Sequence, residues 1–400
     1  MAPPPTADQV IVNARAIARL RAGHTWLYRS DILAGNGIAP GSLVRVVDQR
    51  GRLQGSALYS SASQIAVRML SPGLVEDFPA LLRQRLKLAF DYRERVVRDT
   101  DAYRLVFSEA DFLPGLIVDR YNDVLTFQAL TQAMDSEAVR QTLLATLVEQ
   151  FSPAGIVERV EERVRELEQL PSRTNGLLSG NTADTVFTMN GVRFQYRGLA
   201  GQKTGAFLDQ RENYAAAARY ARGQALDVFC YQGGFALHLA RSCSQVTGVD
   251  SSHPALELAE HNAGLNQPAR EIEWIEGNAF DLLKDYSEAR RQYDTIVLDP
   301  PAFARSRRNL ETALRGYKEL NLRALKMLRP GGVLVTCSCS YHVSESDFLQ
   351  MVAAAAQDAR RTLRLMERRG QAQDHPVLLG VPETSYLKCL ILQADPIFGQ

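Results

Sequence analysis

Lysine and cysteine are both scarce in this 400-residue chain. Only six of its 46 basic residues are lysine, at 87, 203, 284, 318, 326 and 388. The rest are arginine, which reflects either a GC-rich coding sequence or forked guanidinium groups kept for phosphate and base contacts. The first explanation needs no function and is preferred. Five cysteines, at 230, 243, 337, 339 and 389, are an odd number in a long chain. That speaks against a disulfide framework and points to a reducing compartment. No run of about 18 apolar residues exists, so no membrane-spanning helix is expected. Met1-Ala2-Pro3-Pro4-Pro5 lacks a basic patch with an apolar run behind it, so no secretory signal is expected. A cytoplasmic location without a membrane partner follows as the expectation. The net charge of +1 lacks the basic bias of many nucleic-acid binders and argues neither for nor against RNA.

What is present is ordinary globular composition, 46% hydrophobic and 23% charged, enough for a large core. The length suggests two or three domains, and no repeat is visible. Residues 1–75 form a β-rich unit, with strands expected at 43–47, 53–59 and 65–69. Ahead of them a basic helical segment carries Arg15, Arg19 and Arg21, followed by His24, Trp26, Tyr28 and Arg29. Arginines among aromatics suit stacking and phosphate contact on RNA. The alternative is a basic surface helix with Trp26 in a small core. Residues 76–196 read as a separate α+β unit. Its expected parts are helices near 76–98 and 136–150, strands near 105–107, 115–118, 124–127 and 155–157, and a hairpin turning at Asn190-Gly191. The Glu- and Arg-rich run 158–169 reads as a solvated helix face. From 197 to 400, strands near 225–230, 246–250, 272–275, 294–298, 333–338 and 386–393 alternate with helices near 211–222, 233–242, 254–265, 309–328 and 344–358. That alternation predicts a parallel, doubly wound α/β sheet with ligands at the carboxyl ends of its strands.

The chemistry collects at those ends. Leu226-Asp227-Val228-Phe229-Cys230-Tyr231-Gln232-Gly233-Gly234 reads as a buried strand, a glycine turn and a helix start. Such a junction lets backbone N–H groups approach a ligand, because glycine has no Cβ. Asp250 stands seventeen residues past Gly233 at the end of the next strand, placed to accept ribose hydroxyls. Asp299-Pro300-Pro301 follows the strand 294–298, and the two prolines stop that strand with the acid at its tip. Thr336-Cys337-Ser338-Cys339-Ser340 ends another strand. A strand-end cysteine is commonly just a small buried residue. Cys337 and Cys339 are two apart and share a strand face, yet no second Cys/His pair stands at ligand spacing, so no metal is expected.

A thiol beside a nucleotide-like site has a specific use. Carbon 5 of cytosine is a poor nucleophile until a thiolate adds to carbon 6, which makes carbon 5 able to take an electrophilic methyl group. A carboxyl group near ring N3 and the exocyclic amine would orient the base. A free thiol titrates near ~8.5, so positive charge helps, and Arg211, Lys203 or a sulfonium methyl donor are the candidates.

Gln202-Lys203-Thr204-Gly205-Ala206-Phe207-Leu208-Asp209-Gln210-Arg211, the Asp227–Phe235 stretch, Asp299-Pro300-Pro301-Ala302-Phe303, Ser338-Cys339-Ser340 and Asp374-His375-Pro376 together resemble the RlmI-type family of bacterial 23S ribosomal RNA cytosine-C5 methyltransferases. His24-Thr25-Trp26-Leu27-Tyr28 resembles the start of that family's PUA domain, and Ala110–Arg120 its central domain. The resemblance implies a Rossmann-like class I methyltransferase domain over 197–400, a PUA-like RNA-binding domain over 1–75 and a central α+β domain over 76–196. It implies S-adenosyl-L-methionine as cofactor and 23S ribosomal RNA as partner, and leaves a homodimer open. By motif, Lys203, Thr204 and Phe207 would cover the cofactor. Asp227, Phe229, Tyr231 and Gly233 would line its methionine end, Asp250 would hold the ribose, and Asn278 and Ala279 would lie near the adenine. Asp299 would contact the target base and Cys339 would attack it, Cys337 standing where another residue is usual. Arg305, Arg307 and Arg308, with Arg315 and Lys318, would line the RNA path, and the target base must leave its stack. Two rivals are weaker. A methyltransferase acting on a base nitrogen can use an Asp-Pro-Pro-aromatic tip, but here Ala302 intervenes and a cysteine is placed. A non-catalytic RNA-binding assembly factor has no need of Asp250 or Cys339.

Overall fold

The structure, a computed structural model, describes residues 8–35, 37–200, 205–266, 272–304 and 306–396. Contacts divide the chain into two compact units: 1–187 with 196–205 and 373–384, and 188–195 with 206–372 and 385–400. The expected boundary at 75/76 falls inside the first unit. The chain crosses between units at the Asn190-Gly191 hairpin and again around 373–384.

The first unit holds two sheets. One orders its strands Trp26–Tyr28, Ile65–Ser71, Leu53–Tyr59, Leu43–Val47, Gln9–Val12 and Ile32–Ala34. Its helix Ala14–Arg21 is started by Asn13, whose side chain accepts from the Ala16 N–H at 2.9 Å. Ala16 then packs with Val10, Val12, Leu27, Val44 and Val67 in a small core. The other sheet orders Gly176–Gly180, Gly155–Glu158, Val124–Ala129, Leu116–Tyr121 and Ala102–Phe107, with helices Phe78–Val96 and Glu137–Phe151.

The charged run 158–169 is a solvated face only in part: Glu161, Glu162, Arg163 and Glu166 are exposed. Only 162–167 is helical, and Glu158, Arg159, Arg165 and Glu168 are buried. Arg140 grips Glu158 with both ends of its fork, Arg165 binds Asp135 twice at 3.1 Å, and Glu168 takes Arg68 at 3.2 Å and the Ser60 hydroxyl at 2.7 Å. Pairing offsets the desolvation of each charge, and nothing in one-dimensional patterning announces such partners.

The second unit is built on a seven-stranded sheet. Its strands are β1 (Gln224–Val228), β2 (Gln245–Asp250), β3 (Ile272–Glu276), β4 (Tyr293–Leu298), β5 (Leu328–Ser338), β6 (Arg361–Arg369) and β7 (Lys388–Pro396), in the order β3-β2-β1-β4-β5-β7-β6. All neighbours pair parallel except β7, which is antiparallel to both β5 and β6. Helices α1 (Arg211–Tyr220), α2 (Gly234–Leu239), α3 (His253–Gly264), α4 (Ala279–Glu288), α5 (Leu310–Met327) and α6 (Glu345–Asp358) connect them. Leu226, Val228, Ile296, Leu298 and Leu334 are buried, as expected of strands covered on both faces. Helix α4 and strand β6 were not expected. Asn278 caps α4 by accepting from Phe280 N–H at 2.9 Å, a signal hidden by the short turn before it. Strand β6, Arg-Thr-Leu-Arg-Leu-Met-Glu-Arg-Arg, is a half-exposed edge whose polarity masks its period. Among the described residues no helix is long and apolar enough to cross a membrane.

Candidate active site

Parallel pairing aligns the carboxyl ends of β1, β2, β4 and β5, and the loops leaving those ends gather the chemistry. After β1 the backbone turns sharply. Phe229, Tyr231 and Gly233 all have positive φ, at 68°, 50° and 86°. The left-handed region costs a non-glycine residue of order 1–3 kcal/mol, so this loop stores strain where function is expected. It is held by Val249 O, which accepts from Phe229 N–H (2.9 Å) and Cys230 N–H (3.0 Å), and by the Asp250 carboxylate. Asp250 accepts from Tyr231 N–H and Ser252 N–H, both at 2.9 Å. The acid expected to meet a ribose thus also ties the β1 loop to the end of β2. Its carbonyl accepts from Gly277 N–H at 2.9 Å, which fixes the approach to Asn278 and the nearly buried Ala279. The glycines answer a packing demand as well. A Cβ on Gly233 would lie 2.9 Å from the Trp274 ring, and one on Gly234 2.6 Å from the Tyr214 hydroxyl.

Beneath this turn Asp227 is fully buried. Its Oδ2 accepts from Ala236 N–H at 2.8 Å, while Oδ1 has no hydrogen-bond partner among the described residues. Burial pushes the Asp227 carboxyl up to about 8, with the charges of Asp299 and Asp250 adding to the shift and Ala236 N–H opposing it. A buried carboxyl oxygen without a donor is suited to a ligand that brings its own, as the ammonium end of an S-adenosylmethionine does. Phe207 stands edge-on to Tyr231 with ring centroids 5.2 Å apart. Lys203 and Thr204 lie outside the described residues.

Asp299 begins where β4 stops and accepts from Gln210 Nε2 at 3.0 Å. Gln210 accepts from Asn213 Nδ2 at 2.6 Å, and Asn213 from Arg369 Nε at 2.9 Å. Gln210 lies within the 202–211 string, but its relay to Asp299 had no signal in the sequence. Cys339 follows β5 and is half-buried, its Sγ 4.0 Å from Pro300 O, next to Asp299. The flanking serines explain its placement. Ser338 Oγ and Ser340 Oγ both bind the buried Tyr317 hydroxyl, at 3.1 and 3.0 Å, so the peptide on either side of the thiol is anchored into α5. Cys337 is fully buried and opposite Cys389 in the β5–β7 ladder. Burial pushes its thiol well up, and the neighbouring Cys389 adds to the shift. The two thiols therefore differ in access, which spacing alone did not reveal.

Among the described residues a cation outside the expected set, Lys388, reaches the turn that carries the thiol, while the expected Lys203 lies outside them. Arg211 is buried and its guanidinium pairs with Glu212 at 3.3 Å. Lys388 stands opposite Ser338 in the ladder and donates to Ser340 O at 2.6 Å and Tyr386 O at 2.8 Å. Its signal was compositional: it is one of six lysines in a chain that uses arginine almost everywhere.

The expected RNA contacts are scattered. Arg307 and Arg308 are exposed on a short 3-10 turn, Arg315 pairs with Glu311, Lys318 pairs with Asp358, and Arg305 lies outside the described residues. Arg15 and Arg19 both bind buried Asp31. Burial alone would raise that carboxyl, but the Tyr28 N–H and the two arginines more than offset it and hold it low. Trp26 donates its indole N–H to Glu109 at 2.9 Å, and Arg21 is exposed.

This arrangement of ends and loops has known counterparts. The S-adenosylmethionine-dependent methyltransferase family model matches residues 104–393, and the PUA-like domain model residues 10–72. Ribosomal RNA large subunit methyltransferase I of Tolumonas auensis is 39% identical over 93% of this chain and 95% of its own length. Its namesake in Aeromonas hydrophila is 37% identical over 97% of this chain and 100% of its own. A methyltransferase solved as a complex with SAH has the same fold, with a TM-score of 0.82 at 20% identity over 96% of this chain and 99% of that one. On these relationships the chain belongs to the ribosomal RNA large subunit methyltransferase I family, S-adenosylmethionine-dependent methyltransferases with a PUA-like domain ahead of the catalytic fold.

Proposed function

We propose that this chain methylates carbon 5 of a cytosine in 23S ribosomal RNA, with Cys339 as the attacking thiol. The observation that carries the reading is the pairing of Asp299 and an accessible Cys339 at the tips of adjacent parallel strands, while Cys337 is sealed in the sheet. S-adenosylmethionine, when bound, supplies an electrophilic methyl group. Asp227, Phe229, Tyr231 and Gly233 hold its methionine end, Asp250 the ribose, Asn278 and Ala279 the adenine side, and Phe207 covers it.

Asp299, kept in place by Gln210, orients the cytosine through its N3 and amino edge. Cys339 Sγ adds to carbon 6, and the pair of the 5,6 double bond moves onto the ring so that carbon 5 takes the methyl group, the broken methyl–sulfur bond leaving its pair on the donor's sulfur as a neutral thioether. Loss of the carbon 5 proton to water restores the double bond and returns the S–C pair to Sγ. Arg307 and Arg308, together with Arg21 and Trp26, contact the RNA outside the pocket.

The test is methyl transfer to ribosomal RNA followed by nucleoside mass spectrometry. Cys339→Ala is expected to abolish 5-methylcytidine while cofactor affinity stays within about twofold, since the thiol meets the base and not the adenosine. Cys337→Ala is expected to keep activity. Product methylated on a nitrogen or a ribose oxygen would sink the reading.

A further inference from the structure

We propose that the Lys388 ammonium is the positioning charge that keeps the Cys339 thiol ionised for attack. The inference rests on the reading of Cys339 as nucleophile. Strand β7 runs antiparallel to β5 and places Lys388 opposite Ser338. Its side chain reaches along the strand end to the carbonyl of Ser340, the residue after Cys339, at 2.6 Å, and to the carbonyl of Tyr386, two residues ahead of it, at 2.8 Å. The ammonium is thereby fixed against the short turn that presents the thiol. Among the described residues it makes no ion pair with any carboxylate, although this chain pairs most of its buried cations. A half-buried cation bound only to neutral carbonyls stabilises a nearby anion, and the thiolate is the anion this site can form.

The electrostatics agree. Burial lowers Lys388 to about 8, and a charge on Cys339 acts in the opposite sense, with Glu345 contributing less. Coupling is mutual, so what an ionised thiol does for the ammonium, the ammonium does for the thiol. Among the described residues, most other charged or titratable groups nearby are neutral or already paired. Tyr317 from α5 is raised by burial and stays neutral. Glu345 from α6 is already paired with Arg368 of β6 at 3.0 Å. Cys337 and Cys389 are sealed in the ladder, and Asp209 binds the Tyr386 hydroxyl at 2.6 Å. Asp299 at the β4 tip, which accepts from Gln210, is a further carboxylate among the described residues, and its charge would oppose a thiolate, which makes a cation more necessary.

The electron count is simple. The thiol proton leaves Sγ for water, and the ammonium keeps its three N–H bonds throughout. On addition to carbon 6 the Sγ lone pair becomes the S–C bond and negative charge moves onto the ring. When that bond breaks, the pair returns to Sγ, where the same positive charge stabilises it, so departure is assisted as well as attack.

The experiment is alkylation of Cys339 by iodoacetamide in the full chain without RNA, followed across pH by mass spectrometry of the Cys339 peptide. The wild type is expected to show a thiol midpoint below the ordinary value of ~8.5. Lys388→Gln keeps N–H donors for both carbonyls and removes the charge. It is expected to move the midpoint up and slow alkylation at neutral pH by about tenfold. Lys388→Arg keeps the charge and is expected to retain most of the wild-type profile. A wild-type midpoint at or above the ordinary value, or identical profiles for wild type and Lys388→Gln, would overturn the proposal, and the wild-type measurement decides even if a variant fails to fold. The nucleophile reading fails separately, by methyl transfer surviving in Cys339→Ala.

Discussion

Asp227 is a carboxyl group that its surroundings hold protonated near neutral pH. Both folded and unfolded chains carry the proton below about pH 4. Between there and the folded value of about 8, the folded chain keeps a proton that the unfolded chain has lost. The stability this represents is therefore present at low pH and lost as pH rises through about 8. Urea unfolding of the cofactor-free chain is expected to show this decline, and Asp227→Asn is expected to flatten it. A cofactor ammonium meeting Oδ1 reverses the preference, because a nearby positive charge favours the carboxylate. Binding of S-adenosylmethionine at neutral pH is thus expected to release a proton. Calorimetry in two buffers of different ionisation enthalpy measures it, and equal apparent enthalpies would show that Asp227 does not meet that group.

At the scale of elements, the thiol's aim depends on helix α5. Tyr317 reaches from it to both serines flanking Cys339. Tyr317→Phe leaves two buried hydroxyls short of a partner, at an expected cost of about 1–3 kcal/mol. Calorimetric melting should register that loss, and single-turnover methyl transfer should slow about tenfold with cofactor affinity unchanged. Unchanged turnover would mean that the serines do not aim the sulfur. This architecture was largely legible in the sequence: strand–helix alternation announced the sheet, and Asp250, Asp299 and Cys339 could be placed at strand ends from proline, glycine and apolar runs. What escaped has a common cause. Asp299's support by Gln210, the Lys388 contact with Ser340 and the buried pairs of 158–169 all join residues distant in the chain, and no local period encodes them. Strand β6 escaped because an edge strand has little apolar alternation to show.

Over the whole molecule, the chain does not complete one unit before starting the other. Residues 188–195 belong with the second unit although they precede 197, and 373–384 leave it between β6 and β7. Within the first unit, buried Asp374 accepts from Arg104 N–H at 2.8 Å, and its carbonyl accepts from Arg93 at 2.8 Å. A fragment cut at 197–400 loses the hairpin strand of its own unit and strands Asp374 without these donors. It is expected to melt well below the full chain and to bind cofactor poorly, by scanning and titration calorimetry. A fragment as stable as the intact protein would show that the crossings are incidental.

The line of side chains ending at Asp299 has a direction. Arg369 can only donate, so Asn213 must turn its oxygen outward and its amide hydrogens inward, and Gln210 must do the same. Like a one-way valve, the guanidinium on an edge strand forbids either amide to flip. The carboxylate proposed to read the base is thus guaranteed a donor, never a rival acceptor, by a residue that lies three hydrogen bonds away from it.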